Sequence, residues 1–463
     1  MRRIRKAFAG ATATATVLGV LGLTAVAQAA PAIAATITKK IPAGVETAVG
    51  LTACPTGNTV SSVTSSPALP ATVNAIKNAN KVKLSGDWPA SPASYTVTLH
   101  CSGGSTVPTK VSVLAAPAET AAVSVGSDTD ESLFDQFSGD YNATLKSGAV
   151  QEYNWDATNP VTEAIGDSIT TKSGCSSIAR PDGSSAGITA FDANVKTSDG
   201  KQFCIDFARS ARGRSSSDPA FGPGGVAFVT LAQDAITYAT QTTTDAPANL
   251  TTAQLAAIYN CTDTNWSQVG GKNAAIQAFL PQTGSGLRSS FLTAIGVASP
   301  GSCVNSSVQQ NQGVDPLLKT PQALVPYSVA KFIAQKFHSA ACLNTACTPN
   351  SNGVVCVPAA GLNQFGCNEH GTLKINSVNG TVPTAGSGKS MTINPSFSAA
   401  FLNNIYDVVR YDSTTPDHIP AYLEPQFAAA SAAVPGWNCS AATAKADLKN
   451  YGFLLSPLCG LAS

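Results

Sequence analysis

One unit recurs along the middle of this chain and constrains its fold more than any other feature. A short apolar run enters a turn of glycine and hydroxyl residues, and an amphipathic helix follows. "AAVSVGSDTDESLFDQF" from Ala121, "AAIQAFLPQTGSGLRSSFLTAIG" from Ala274 and "VPYSVAKFIAQKF" from Val325 share this grammar. "AFVTLAQDAITYAT" adds a strand. "LTTAQLAAIYNCTDTNWSQVG" adds a helix capped at Thr251-Thr252, with Leu255, Ile258 and Tyr259 on one face. Strands alternating with helices specify an α/β fold with largely parallel sheets. Ligands of such sheets collect at the carboxyl ends of strands, where the strand-to-helix turns gather.

Residues 31–115 follow a different rule. "KVKLSGDW", "SYTVTLHC" and "TKVSVLA" are short, turn-bounded strands, and Tyr95, Val97 and Leu99 alternate with polar partners. This spacing predicts a small all-β sandwich. Cys54 and Cys101 with Trp88 between them give it an immunoglobulin-like pattern, suited to a spacer or adhesive role. His100 reads as a strand surface residue. "APAET" at 116–120 is a linker, and residues 121–463 form the α/β part.

The first 29 residues read as a secretory signal peptide. Arg2, Arg3, Arg5 and Lys6 precede a short apolar run, and Ala27-Gln-Ala29 has the form of a cleavage site. No later segment is apolar and long enough to span a bilayer, and no cysteine marks a lipid anchor. The expected address is therefore extracellular. Taking the four leader cations from the 28 basic residues leaves 24 against 27 acidic ones, so there is no electrostatic footprint for nucleic acid. All 12 cysteines follow the leader, which argues for disulfides. Neighbours suggest Cys54–Cys101, Cys175–Cys204, Cys261–Cys303 and Cys439–Cys459. Cys342, Cys347, Cys356 and Cys367 would pair among themselves; zinc is the rival reading of that cluster, but it lacks Cys-x-x-Cys spacing, and His338 and His370 sit without ligand-type periodicity.

Three turns place hydroxyls and backbone N–H groups at helix starts: Gly126-Ser127-Asp128-Thr129, Gly183-Ser184-Ser185-Ala-Gly187, and Thr283-Gly-Ser285-Gly286-Leu-Arg288. A helix start has unpaired donors and a partial positive charge, so it suits an anion. "CIDFARSARGRSSSDP" adds Arg209, Arg212 and Arg214 around Ser210, and guanidinium groups suit tetrahedral oxyanions.

"GSDT", "GSSAGI", "IDFARSARG", "LTTAQLAAIYNCTDTNWSQVGG" and "PQTGSGLRSSFL" stand in the order found in the phosphate-binding proteins of bacterial ABC importers. The chain resembles that family, within the type II periplasmic-binding-protein superfamily, over about residues 121–410. The resemblance implies two α/β lobes closing on a desolvated oxyanion, with crossings near 225–230 and 325–330. It implies donors from Thr129, Ser184, Ser210, Ser285 and Gly286, and pairing of the anion with Arg288. Two family features are absent. Ala211 stands where the family has an Asp that accepts the proton of phosphate, and Pro281 stands where some members have an arginine. Leu287 also replaces a threonine.

These readings imply a monomeric solute-binding protein for phosphate or a related oxyanion, serving either uptake with an ABC permease as partner or scavenging, and no catalytic residues, metal or cofactor. Two alternatives remain open. Gly183-Ser-Ser-Ala-Gly187 also fits G-x-S-x-G, with Ser185 as nucleophile and His418 beside Asp417 as base, although Pro181 breaks the strand such an elbow needs. The chain would otherwise be a surface interaction protein on the same scaffold.

Overall fold

The computed structural model describes residues 37–42, 46–70, 73–87, 93–114, 116–159, 165–337, 348–349, 356–357, 370–429 and 431–463. The leader, Trp88, His338, Cys342, Cys347 and Cys367 lie outside the described residues, as does the side chain of Cys356. The pairing of that cysteine cluster is therefore outside them too.

The N-terminal segment folds into strands β1 (Ile37–Pro42), β2 (Glu46–Gly50), β3 (Val60–Ser66), β4 (Val73–Asn78), β5 (Lys81–Asp87), β6 (Ala93–Cys101) and β7 (Thr106–Leu114). They make a four-stranded sheet, β1-β7-β6-β3, and a three-stranded sheet, β2-β5-β4. The period of two is physical in β6, where Tyr95, Val97 and Leu99 are buried. Val82 and Leu84 of β5 lie in the same core as Val97 and Leu99. A disulfide joins Cys54 to Cys101 at the end of β6.

The α/β part begins with β8 (Ala122–Gly126), α1 (Glu131–Thr144), β9 (Glu152–Asn154), α2 (Ser184–Asp192) and β10 (Phe207–Ser210), the first lobe. β11 (Val226–Gln241) leaves it. The second lobe holds α3 (Thr252–Tyr259), β12 (Gln277–Pro281), α4 (Gly286–Ile295), β13 (Asn305–Val308), β14 (Ala323–Ser328), α5 (Val329–Phe337) and β15 (Leu373–Ile375). β16 (Leu402–Arg410) returns to the first, and β17 (Leu454–Leu455) ends the chain's strands. Ten strands form one sheet in the order β13-β12-β14-β11-β16-β10-β8-β9, with β15 and β17 also paired to β11.

The sheet is mixed rather than largely parallel. β8 runs parallel to β9 and β10, and β12 parallel to β13 and β14. β16 is antiparallel to β10 and β11, and β11 is antiparallel to β14. Parallel pairs need a crossover that brings the chain back to the same end. β11 and β16 instead travel between the lobes with no such return.

β11 is the element both lobes share. Val226–Ala235 pairs with β16, and Ile236–Thr240 pairs with β14. At about 3.3 Å per residue such a strand spans about 50 Å. Each lobe then has its own core. Phe134 and Phe137 of α1 pack with Phe207 of β10 in the first, and Phe207 meets Phe427 edge-on at 4.9 Å. Leu255, Ile258 and Tyr259 face the second core together, because the capping box of Thr251 and Gln254 fixes where α3 starts. Tyr259 meets Phe291 of α4 at 5.1 Å. Disulfides Cys175–Cys204, Cys261–Cys303 and Cys439–Cys459 tie loops to these cores. Among the described residues no helix is long and apolar enough to cross a membrane.

Candidate functional site

Glycine decides the local geometry of the first lobe. Gly126 has φ 126°, and a Cβ there would lie 2.6 Å from the Arg209 carbonyl oxygen. A Cβ on Gly187 would lie 2.4 Å from the Cα of Gly126. β8, β10 and the first turn of α2 therefore meet backbone to backbone, as only glycine allows. Ser127, Asp128 and Thr129 follow Gly126 and are buried. The Thr129 N–H donates to Ser127 Oγ at 3.2 Å.

The starts of α2 and α4 face each other across the lobes. The Ser185 N–H donates to the Gly284 carbonyl at 3.1 Å. A Cβ on Gly183 would meet that same oxygen at 2.7 Å, and one on Gly286 would lie 2.3 Å from Ser184 Oγ. Ser184 Oγ accepts from the Ala211 N–H at 3.0 Å. Ser285 caps α4, its Oγ accepting from the Arg288 N–H at 3.1 Å. The first-turn amides of both helices have no acceptor within their own helix. Two partial positive charges thus point at one seam.

Side chains close the seam. Gln310 donates to Asp128 Oδ1 at 3.1 Å and to Thr129 Oγ1 at 3.4 Å, while its own Oε1 accepts from Ser285 Oγ. Asn311 donates to Asp128 Oδ1 at 2.9 Å. Gln282 and Gln309 both donate to Asp182 Oδ1, at 2.7 and 2.6 Å. Lys331 of α5 reaches the Asp128 carbonyl, Glu131 and Ser132 at the head of α1. None of these amides stands out in the sequence. Gln309-Gln-Asn-Gln312 reads as an ordinary polar loop, because an amide carries neither charge nor periodicity to betray its partner.

The basic cluster of the sequence is divided among separate jobs. Arg209 is wholly buried and donates to the Ser127 carbonyl, Ser124 Oγ, Asn154 Oδ1 and the Trp155 carbonyl. It also lies 3.8 Å from Asp130. It thus holds the β8 turn from beneath. Arg212 pairs with both carboxylate oxygens of Asp218, at 2.6 and 2.8 Å, and donates to Ser185 Oγ at 3.0 Å. Arg214 reaches the Ser463 and Val226 carbonyls. Ser210 is buried, and its Oγ donates to the Arg212 carbonyl at 2.8 Å. The Arg288 guanidinium donates to the Pro281 carbonyl and Ser306 Oγ, both at 2.8 Å. Thr283 is exposed at the outer edge of its turn.

Ser127, Asp128, Thr129, Ser184, Ser185, Ser285 and Gly286 thus gather along one seam, while the Arg209 and Arg288 guanidinium groups bond elsewhere. Burial raises several carboxyls near it. Asp130 is pushed up to about 6 by burial, against the pull of Arg209. Asp234, which caps Ser328 and Ala330 at the start of α5, is pushed up to about 7 by burial. Asp182 is raised by burial despite its two glutamine donors.

The nucleophile-elbow alternative assigns His418 as the base. His418 stacks on Tyr411 at 4.4 Å, and its ring nitrogens face Tyr411 Oη and the Asp412 carbonyl. Ser185 is bonded to Arg212 instead. Among the described residues no hydrogen bond joins Ser185 to a histidine.

Two α/β lobes that share a crossing strand and meet at opposed helix starts define a two-lobed binding protein. The chain belongs to the periplasmic-binding-protein (PBP) superfamily: the profile of the PBP superfamily domain matches residues 117–358, more than half of the 463. No curated protein matches the chain. Among solved structures, it is similar to an ABC-type phosphate transport receptor from Vibrio cholerae (16% identity, TM-score 0.42, covering 72% of this chain and 100% of that one). It is also similar to a Clostridium perfringens protein solved with bound phosphate (13%, 0.43, 73% and 99%). A phosphate-binding protein from Stenotrophomonas maltophilia is a third (12%, 0.39, 74% and 92%).

Proposed function

We propose that this chain is a secreted solute-binding protein that captures phosphate or a related oxyanion between its lobes, without catalysis. The observation that carries this reading is the opposition of α2 and α4. Two helix starts pressed together place like partial charges against each other, and an anion between them relieves that repulsion while accepting their first-turn N–H groups. Thr129, Ser184, Ser285 and Gly286 are its direct donors. Ser127, Arg209, Ser210 and Arg212 hold the first-lobe turns in place. Arg288 supplies positive charge at the start of α4. The family resemblance of the turn motifs points to phosphate, while Ala211, in place of the family's proton-accepting Asp, leaves the choice among oxyanions to other groups of the site.

The reading includes a leader at residues 1–29, a β-sandwich spacer at 31–115, and a binding domain at 121–463 whose chain passes between the lobes along β11 and returns along β16. A monomer delivering its anion to an ABC permease fits this arrangement. Native mass spectrometry of the ligand-stripped protein incubated with phosphate tests it. One phosphate per chain is expected, and a spectrum without an adduct at millimolar phosphate contradicts it.

A further inference from the structure

One side chain already does what the proposed ligand would do. Gln310 is wholly buried, and its backbone N–H is held by Gln282 Oε1 at 3.2 Å. Its Oε1 accepts from Ser285 of the second lobe, and its Nε2 donates to Asp128 and Thr129 of the first. Ser285 and Thr129 are the two hydroxyls, one from each lobe, that the oxyanion reading assigns to the ligand. The neighbouring residue adds to the hold: Asn311 donates to Asp128, while its own carbonyl accepts from Tyr327 Oη at 2.6 Å and Gln335 Nε2 at 2.9 Å. The 310–311 segment is therefore anchored in the second lobe and reaches into the first.

We infer that Gln310 is an internal competitor for the ligand site, a displaceable amide that latches the lobes shut in the ligand-free protein and sets the affinity of the site. The inference rests on the oxyanion reading for what is displaced, but not for the latch itself. The amide also prescribes its replacement. An incoming ligand must offer an acceptor to Ser285, or it leaves a buried hydroxyl unpaired, and a donor to Asp128 restores the second bond there beside the one that Asn311 keeps. An oxyanion that retains a proton offers both. A fully deprotonated one would set its charge against the Asp128 carboxylate. Because latched molecules do not bind, the apparent affinity falls by the fraction that is latched.

The test compares wild type with Gln310→Ala and the nearly isosteric Gln310→Met, each checked for folding by near-UV circular dichroism. Two quantities are read: hydrogen exchange at the Ser185 amide, which crosses the seam to Gly284, and affinity for inorganic phosphate. The expected result is exchange about tenfold faster in both variants, with phosphate bound about tenfold more tightly. The scale is that of one or two lost hydrogen bonds. Unchanged exchange in both variants overturns the latch, whatever phosphate does. Faster exchange with unchanged phosphate affinity overturns the competition. Faster exchange with no phosphate binding to any of the three proteins keeps the latch and removes the oxyanion reading.

Discussion

The start of α4 is pressed onto the start of α2 so closely that a Cβ on Gly286 would lie 2.3 Å from Ser184 Oγ. The Ser184 side chain is itself committed to the Ala211 N–H, so it cannot swing aside without losing that bond. Gly286→Ala is therefore expected to wedge the seam open. Overpacking of this kind costs about 1–3 kcal/mol, and here it falls on closure rather than on either lobe's core. Equilibrium dialysis should show phosphate affinity reduced at least about tenfold, with the unfolding midpoint little changed. An undiminished affinity would separate the seam from the site.

Ser285 and Arg288 stand three residues apart but serve differently. The Ser285 hydroxyl is buried at the seam, whereas the Arg288 guanidinium is turned to the Pro281 carbonyl and Ser306. Removing Ser285 also removes the cap of α4, worth about 1 kcal/mol. Ser285→Ala should weaken phosphate binding more than Arg288→Ala does. The opposite order, measured by dialysis on the two variants, would show that the guanidinium turns inward to the anion.

Glu152 supplies a pH dependence with a definite sign. Burial raises its carboxyl from 4.5 to about 8, against hydrogen bonds from Gln426 and Ser138. The folded chain thus keeps a proton that the unfolded chain releases. The associated stability is complete below the ordinary value and is lost as pH rises through the folded one. Asp130 at about 6 and Asp234 at about 7 act in the same direction. Wild type should have a lower urea midpoint at pH 8 than at pH 5. Glu152→Gln, which keeps an acceptor for Gln426, should reduce that drop. Equal drops in both proteins would place the proton elsewhere.

Lys172 and Asp206 form a buried pair at 2.6 Å, and Asp206 Oδ2 also accepts from the Val123 N–H at 2.8 Å. The pair thereby ties the loop before α2 to the edge of β8. Breaking a buried pair from one side leaves a stranded charge and costs about 3–5 kcal/mol. Lys172→Ala should lose about that much by urea denaturation. A loss below about 1 kcal/mol would mean that Asp206 is satisfied by Val123 and Tyr422 alone.

The strand, turn and helix at Gln277–Ile295 were legible because apolar period, glycine turn and cap agree over a short stretch. Four disulfides were legible because pairing each cysteine with its sequence neighbour leaves few choices. The mixed sheet was not, since the direction of β11 and β16 depends on a lobe crossing that no local pattern encodes. The role of Arg209 was hidden for a related reason. It lies in a strand buried on both faces, where a guanidinium must satisfy backbone carbonyls rather than greet a ligand. Gln310 and Asp182 acquire meaning only when the lobes meet. Across the lobes, Asp182 meets Gln309 at a separation of 127 residues and Gln310 meets Asp128 at 182.

Everything turns on whether the seam between α2 and α4 holds an oxyanion. Isothermal titration calorimetry asks this most directly, using protein freed of ligand by unfolding and refolding with its disulfides intact. Phosphate is titrated first and sulfate second. Saturable binding of one phosphate per chain is expected, with sulfate much weaker because it brings no proton to Asp128. The absence of binding heat from both anions, in a protein whose refolding is verified, would contradict the anion site.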